Sequence, residues 1–306
     1  MNNKKVITRI FGGLGNQLFC YAAARRLALL NESELVIDDV SGFAYDFQYA
    51  RKYALDKFSI PVRKATPVER LEPFSRLRRY FKRTYNNSLP FDARCYIQQV
   101  GNDFDSRLLK YRPSGTVYLE GYWQSEGYFK DVKETIRNDL RIKPPTDVFS
   151  QAMAEKIRSC NAVSLHVRWH DLASTNAANN LPAEYYKRAI SLIDQQIDSP
   201  YFFIFSDDPK AASATLALPE NRVTCVSQER GDAASNNQGF DERAITDLWL
   251  MGQCKHFITA NSTFSWWGAW LKEGNEKIIV TPNVKINGNK MAWGFRGLIP
   301  DDWLQI

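Results

Sequence analysis

The second half of the chain carries three polar segments that each follow an apolar run. They are His166-Val167-Arg168 after AVSL, Asp207-Asp208 after YFFIFS, and Asn261-Ser262-Thr263 after HFITA. Short apolar runs that alternate with amphipathic stretches predict the parallel strands of an α/β fold. Ligands of such sheets bind beyond the carboxyl ends of the strands, so we expect these three segments to share one rim.

These residue types are suited to binding a phosphorylated ligand. The guanidinium of Arg168 fits a phosphate in bidentate geometry, although an ion pair with a local carboxylate such as Asp171 is the alternative. Asn261 to Thr263 precede the helical segment FSWWGAWL. Backbone N–H groups at a helix start favour an anion, and the alternative is that Ser262 or Thr263 simply caps the helix.

Asp207 and Asp208 begin a turn after a very apolar strand. A carboxylate at this point matches the two adjacent N–H donors of a guanine, and one of the two can instead cap the following helix. Two adjacent aspartates also suggest a metal site, but Arg168 already supplies positive charge, so we expect no metal. His166 lies two residues before Arg168 on the same strand face, and the alternative is an ordinary core histidine.

The first half opens with a βαβ pattern. A strand is predicted at Val6–Ile10, a glycine-rich turn at Gly12–Gly15, a helix from about Asn16, and a second strand at Leu35–Asp38. The turn GGLGNQ matches neither of the two common phosphate-binding glycine motifs. Residues from about 40 to 115 are expected to hold helices and loops. Pro144-Pro145 predicts a linker, and therefore domains at 1–145 and 146–306.

Composition limits the remaining possibilities. The 306 residues include 40 Lys and Arg against 34 Asp and Glu, a net charge of +6. Much of the excess lies between Arg63 and Arg83, which is consistent with a solvated helix face or contact with anionic lipid. No nucleic-acid motif accompanies it, so no nucleic-acid partner is expected.

No apolar run is long enough to span a membrane and no signal peptide is recognised, so a cytoplasmic location is expected. Five cysteines without a CxxC pair predict reduced, mostly buried thiols.

Five segments together resemble the bacterial α-1,2-fucosyltransferase family. In chain order they are FGGLGNQLFCYAAARRLA, LEGYWQSEGYF, HVRWHD, FIFSDDP and DLWLMGQCKHFITANSTFSWWGAWL. The resemblance implies a GT-B-like α/β fold of two facing Rossmann-like lobes with a cleft between them. Residues 1–145 would form the acceptor-side lobe, and residues 146–306 the lobe that binds the GDP-sugar.

The resemblance also implies a reaction: inverting transfer of L-fucose from GDP-fucose to a glycan hydroxyl, most simply α-1,2 to galactose, without metal or other cofactor. The implied donor-binding residues are Arg168 with Asn261, Ser262 and Thr263 at the diphosphate, and His166, Asp207 and Asp208 near guanine. Asn16 and Gln17 would face the cleft from the acceptor lobe. Asp171 is the first candidate for the general base, followed by His170.

The central motif departs from the family pattern. The family usually has HVRRGDY, whereas this chain has HVRWHDL, with Trp169, His170 and Leu172 at the changed positions. The change leaves open a transferase of another linkage or another GDP-sugar, and a non-catalytic glycan-binding protein. A glycan acceptor at the inner membrane face would make the basic stretch from Arg63 to Arg83 a candidate membrane contact.

Overall fold

Two units, each built around a parallel β-sheet, make up the chain. The computed structural model describes residues 4–47, 49–169, 179–229, 237–274, 276–288 and 292–306. Unit 1 comprises Met1–Arg141 and Phe295–Pro300, and unit 2 comprises Ile142–Gly294 and Asp301–Ile306. The chain therefore returns to unit 1 near its end, which no sequence signal predicted.

Unit 1 contains a five-stranded sheet in the order β3-β2-β1-β5-β4, with every neighbouring pair parallel. Its elements are β1 (Lys5–Arg9), α1 (Leu14–Leu30), β2 (Glu34–Asp38), β3 (Arg63–Lys64), α2 (Ser75–Asn87), β4 (Tyr96–Gln98), α3 (Arg107–Lys110), β5 (Thr116–Glu120) and α4 (Lys133–Asp139). The predicted βαβ opening is confirmed.

The glycine-rich turn leads from β1 directly into α1. Gly12 has φ +80°, and a Cβ atom there would lie 3.0 Å from the ring of Tyr122. Glycine is therefore required both for the left-handed backbone and for the close approach. Gly13 is the N-cap of α1, and its backbone C=O accepts from the N–H of Gln17 at 3.0 Å.

Residues 40 to 115 contribute more to the sheet than predicted. β3 and β4 lie here, at the two edges of the unit 1 sheet. They are two and three residues long, too short for an alternating apolar pattern to be read from the sequence.

Unit 2 contains a six-stranded sheet in the order β13-β10-β9-β6-β7-β8, also parallel throughout, and a small antiparallel hairpin of β11 and β12. Its strands are β6 (Asn161–Val167), β7 (Pro200–Ser206), β8 (Val223–Cys225), β9 (His256–Ile258), β10 (Ile279–Thr281), β11 (Ile286–Asn287), β12 (Ala292–Trp293) and β13 (Leu304–Gln305). Its helices are α5 (Val148–Arg158), α6 (Ala183–Gln196), α7 (Pro209–Leu216), α8 (Val226–Glu229), α9 (Asn237–Gln253) and α10 (Thr263–Leu271).

The two faces of the unit 2 sheet pack against different helices. Val163, Leu165 and Val167 alternate along β6 and join a cluster that includes buried residues of α6. His166 points to the opposite face, where its ring lies 5.7 Å from that of Phe264 on α10. The tryptophans of α10, Trp266, Trp267 and Trp270, are buried core residues.

All five cysteines are free, as predicted. Cys20 and Cys254 are buried, and desolvation raises the pKa of the Cys20 thiol to about 12. Cys160 and Cys225 are half-buried and Cys95 is exposed, so the prediction of mostly buried thiols is wrong.

Candidate active site

Strand register brings three of the predicted residues to one level of the unit 2 sheet. Val167 pairs with Ser206 at the end of the β6–β7 ladder, so Arg168 and Asp207 are each the next residue. In the β6–β9 ladder Leu165 pairs with Ile258, and Arg168 and Asn261 each follow three residues later. The predicted shared rim is therefore present.

Arg168 and Asp207 form an ion pair. Nη1 of Arg168 lies 2.8 Å from Oδ2 of Asp207, and the two side chains are 37% and 28% exposed. The other carboxylate oxygen, Oδ1, accepts a hydrogen bond from the backbone N–H of Trp169 at 3.0 Å. Asp207 thus holds both the guanidinium and the backbone that leaves β6. A guanidinium has five N–H donors, and this contact uses only part of that capacity.

Asp208 has a different role from its neighbour. Its Oδ1 accepts the backbone N–H of Ala211 at 3.0 Å, which makes it the N-cap of α7, and Pro209 occupies the first turn. Its own N–H donates to Oγ of Ser206 at 3.1 Å. The sequence predicted that one of the two aspartates caps a helix, and that residue is Asp208.

The start of α10 forms the third part of this edge. Oγ of Ser262 accepts the N–H of Phe264 at 3.3 Å, the N-cap contact of the helix. Asn261 is 1% exposed, and its Nδ2 donates to the carbonyl of Asn179 at 2.7 Å. Its Oδ1 is buried and has no hydrogen-bond partner among the described residues. The helix start therefore combines backbone N–H groups with a fixed amide side chain.

His166 is an interior residue, 6% exposed, packed beside Phe264. Its position supports the first turn of α10. This geometry agrees with the core-histidine alternative for the imidazole and leaves contact with a ligand as a prediction.

Trp169 and Tyr186 are two aromatic residues beside Arg168. Trp169 is half-buried and packs against the core cluster beneath the sheet. Tyr186 on α6 is buried; desolvation raises the pKa of its hydroxyl, an effect opposed by the Arg168 backbone and reinforced by the charge of Asp207. Tyr186 could not be predicted, because its helical spacing is that of any core residue.

The predicted general bases, His170 and Asp171, lie outside the described residues. Their roles stay predictions. Among the residues that the structure describes, no three His, Cys, Asp or Glu side chains are grouped to hold a metal ion. The described helices also include none that is long and apolar enough to cross a membrane.

In unit 1, Asn16 and Gln17 lie in the first turn of α1. Gln17 is 1% exposed, and its amide binds three backbone groups at 2.8–3.0 Å, those of Gly12, Lys52 and Ala54. This amide ties the glycine-rich turn to the segment after β2. Asn16 accepts a hydrogen bond from Nε2 of Gln124 at 2.8 Å. Gln17 thereby fixes the turn, and contact of either residue with an acceptor stays a prediction.

Comparison with known proteins assigns the chain to a family. The model of glycosyl transferase family 11 matches residues 5–294. The chain belongs to this family. It is therefore a glycosyltransferase, and the resemblance stated from the sequence motifs is confirmed.

Two curated relatives from Escherichia coli align along most of the chain. An alpha-1,2-colitosyltransferase is 29% identical over 290 residues, which cover 90% of this chain and 91% of the relative. The O-antigen biosynthesis glycosyltransferase WbnK is 29% identical over 315 residues, covering 96% and 98%.

Solved structures with low identity share the fold. Fucosyltransferase NodZ from Bradyrhizobium has a TM-score of 0.54 at 15% identity, covering 88% of this chain and 92% of that one. NodZ α-1,6-fucosyltransferase soaked with GDP-fucose has a TM-score of 0.50 at 13% identity, with the same coverage. This likeness confirms the predicted α/β fold of GT-B type.

The capping role of Asp208 predicts that alanine and serine at this position have different effects on stability. Asp208→Ala removes the N-cap of α7 and should lower the free energy of unfolding by about 1 kcal/mol. Asp208→Ser retains a capping oxygen and should lose no more than about 0.5 kcal/mol. Urea denaturation measures both, and equal losses in the two variants would contradict the capping role.

Proposed function

We propose that this glycosyltransferase moves L-fucose from GDP-fucose to a galactose hydroxyl in α-1,2 linkage, with inversion and without a metal. The observation that carries the proposal is the partly exposed guanidinium of Arg168 at the carboxyl edge of the unit 2 sheet, level with the start of α10. The NodZ structure soaked with GDP-fucose supports the choice of donor.

The donor diphosphate binds between Arg168 and the first turn of α10 in this proposal. The guanidinium supplies charge-assisted hydrogen bonds, and the N–H groups at Ser262 and Thr263 add the positive end of the helix dipole. Both favour the negative charge that grows on the leaving GDP in the transition state. Asp207 acts first as a positioning residue, because it already holds Arg168.

The reaction exchanges one bond at the anomeric carbon of the donor sugar. The acceptor oxygen attacks opposite the diphosphate, the new glycosidic C–O bond forms, and the old C–O bond breaks with its electron pair leaving on GDP. The proton of the acceptor hydroxyl passes to a base, for which Asp171 is the first candidate and His170 the second. His166 stays a candidate for the guanine side, behind the start of α10.

A second donor is favoured by one observation. An alpha-1,2-colitosyltransferase matches 90% of this chain. Colitose lacks the 3-hydroxyl of fucose. A site that hydrogen-bonds this hydroxyl would have an unpaired polar group when colitose is bound, and would therefore discriminate between the two sugars. The turnover rates of the GDP derivatives of both sugars with one galactoside acceptor separate the two donors. NMR of the products gives the linkage. Faster transfer of fucose is the expected result, and faster transfer of colitose would reassign the donor.

The cellular setting follows from the acceptor class. We place the enzyme in the cytoplasm, with the glycan of a surface polysaccharide as acceptor and a peripheral contact with the inner membrane through the stretch from Arg63 to Arg83. The O-antigen relative WbnK supports this acceptor class.

Calorimetric titration with GDP tests the donor site. Wild-type protein should bind GDP equally with and without EDTA. Arg168→Ala should weaken binding at least tenfold, about 1.4 kcal/mol, because a charged contact with the diphosphate is lost.

Arg222→Ala is the matched control, since Arg222 is also a partly exposed unit 2 arginine paired with an aspartate, Asp194. It should bind GDP like wild type. Failure of wild-type protein to bind GDP, or unchanged affinity in Arg168→Ala, would contradict the proposed donor site.

A further inference from the structure

The two buried side chains of helix α2 are polar, and its large apolar side chains are exposed. Arg79 and Asn86 are 7% and 1% exposed, whereas Leu77, Phe81 and Tyr85 are 55%, 62% and 65% exposed. A surface helix normally has the opposite arrangement, with its apolar stripe against the core. The outward face of α2 is therefore a feature that folding of unit 1 does not explain.

Polar contacts fix the orientation of this helix. Nη2 of Arg79 lies 2.6 Å from the buried carboxylate of Asp38. Oδ1 of Asn86 accepts the backbone N–H groups of Cys95 and Tyr96 at 2.7 and 2.9 Å. Turning the helix over would leave the carboxylate of Asp38 buried without its counter-charge, which is strongly unfavourable. The apolar face is held outward.

Three of the exposed apolar residues of α2 form one continuous stripe, and Tyr80, 56% exposed, lies beside it. Leu77, Phe81 and Tyr85 follow each other at intervals of four residues, so they lie along the same side of the helix. Phe74, at the N-cap, is 75% exposed and continues the stripe at its start. Exposed stripes of this kind mark a surface for a partner.

Basic side chains border the stripe on both sides. At about 3.6 residues per turn, the exposed residues Arg76 and Arg78 lie on opposite sides of the stripe. The sequence of α2, SRLRRYFKRTYNN, contains no acidic residue. Long basic side chains beside an apolar stripe reach outward to headgroup phosphates while the stripe enters the acyl boundary.

The other basic residues of this region are occupied elsewhere. Arg63 forms ion pairs with Glu34 and Glu69 at 2.8 Å, and Arg70 pairs with Glu72 at 2.8 Å. Within α2, Nζ of Lys82 lies 5.3 Å from the ring centroid of Tyr118, and Nη1 of Arg83 lies 3.9 Å from Oε2 of Glu120. These basic residues stabilise unit 1 locally. The membrane contact predicted for the stretch from Arg63 to Arg83 is therefore restricted to α2.

Aromatic residues of a neighbouring loop enlarge the surface. Tyr45 and Phe47 are 67% and 84% exposed. The guanidinium of Arg76 lies 5.9 Å from the ring centroid of Tyr45, which places this loop beside α2. Tyrosine and phenylalanine at this position suit the polar–apolar boundary of a bilayer.

We propose that α2 lies in the surface of an anionic bilayer, with Leu77, Phe81 and Tyr85 inserted and Arg76 and Arg78 on the lipid phosphates. Because α2 has basic and no acidic side chains, we expect it to bind an anionic lipid surface in preference to an uncharged protein surface. The inference deepens the membrane contact in the proposed function. It concerns unit 1 only, so vesicle binding and sugar transfer can fail independently.

Flotation of full-length protein with vesicles tests the inference. Wild-type protein should float with phosphatidylglycerol–phosphatidylcholine vesicles and much less with phosphatidylcholine alone. The variant Leu77→Ser/Phe81→Ser/Tyr85→Ser should lose at least about tenfold in partitioning, because apolar insertion is removed. The variant Arg76→Gln/Arg78→Gln should lose the preference for phosphatidylglycerol.

The matched control removes apolar surface at other places. Val68, Val100 and Val148 are 77%, 79% and 86% exposed. The variant Val68→Ser/Val100→Ser/Val148→Ser should float like wild type. Equal flotation of wild type and the α2 serine variant would overturn the inference. A second result would also overturn it: wild type does not bind vesicles but forms a dimer, and the α2 serine variant is a monomer. That result would assign the stripe to a second copy of the chain.

Transfer to a soluble acceptor by wild type and both α2 variants separates the two proposals. Vesicle binding without any transfer would contradict the proposed function and leave the membrane helix in place. Sugar transfer without vesicle binding would contradict the membrane helix and leave the proposed function in place.

Discussion

Parallel strands that end at one level bring the charged residues that follow them into contact. In unit 2 this constraint joins Arg168 and Asp207 at 2.8 Å. In unit 1 it joins Arg9 at the end of β1 to Glu120 at the end of β5, again at 2.8 Å. Each pair stabilises charges at the end of an apolar sheet, where an uncompensated charge is costly.

The same topology has different consequences in the two units. In unit 1 the edge is covered by α2, and the Asp38–Arg79 pair is 3% and 9% exposed. Such a pair is structural, because its polar groups are withdrawn from solvent. The Arg168–Asp207 pair is about one-third exposed, and the start of α10 lies at the same level. A partly exposed cation held by a carboxylate is preorganised to receive an anion without a large rearrangement.

Much of this could be predicted from sequence, for identifiable reasons. Apolar strands and the polar segments after them predict both the parallel sheet and the rim that holds Arg168, Asp207 and Asn261. The partner of Arg168 could not be predicted, because sequence distance favours Asp171 whereas register selects Asp207. The sequence predicted no bounds for α2 and did not tell which of its faces is buried. The buried carboxylate of Asp38 decides that, and it lies 41 residues from Arg79.

The central claim is that Arg168 binds the diphosphate of a GDP-sugar. A crystal structure with bound GDP tests it most directly. The account predicts that phosphate oxygens lie about 3 Å from the guanidinium of Arg168, with the first turn of α10 on the other side. GDP bound with its phosphates away from both groups would contradict the account.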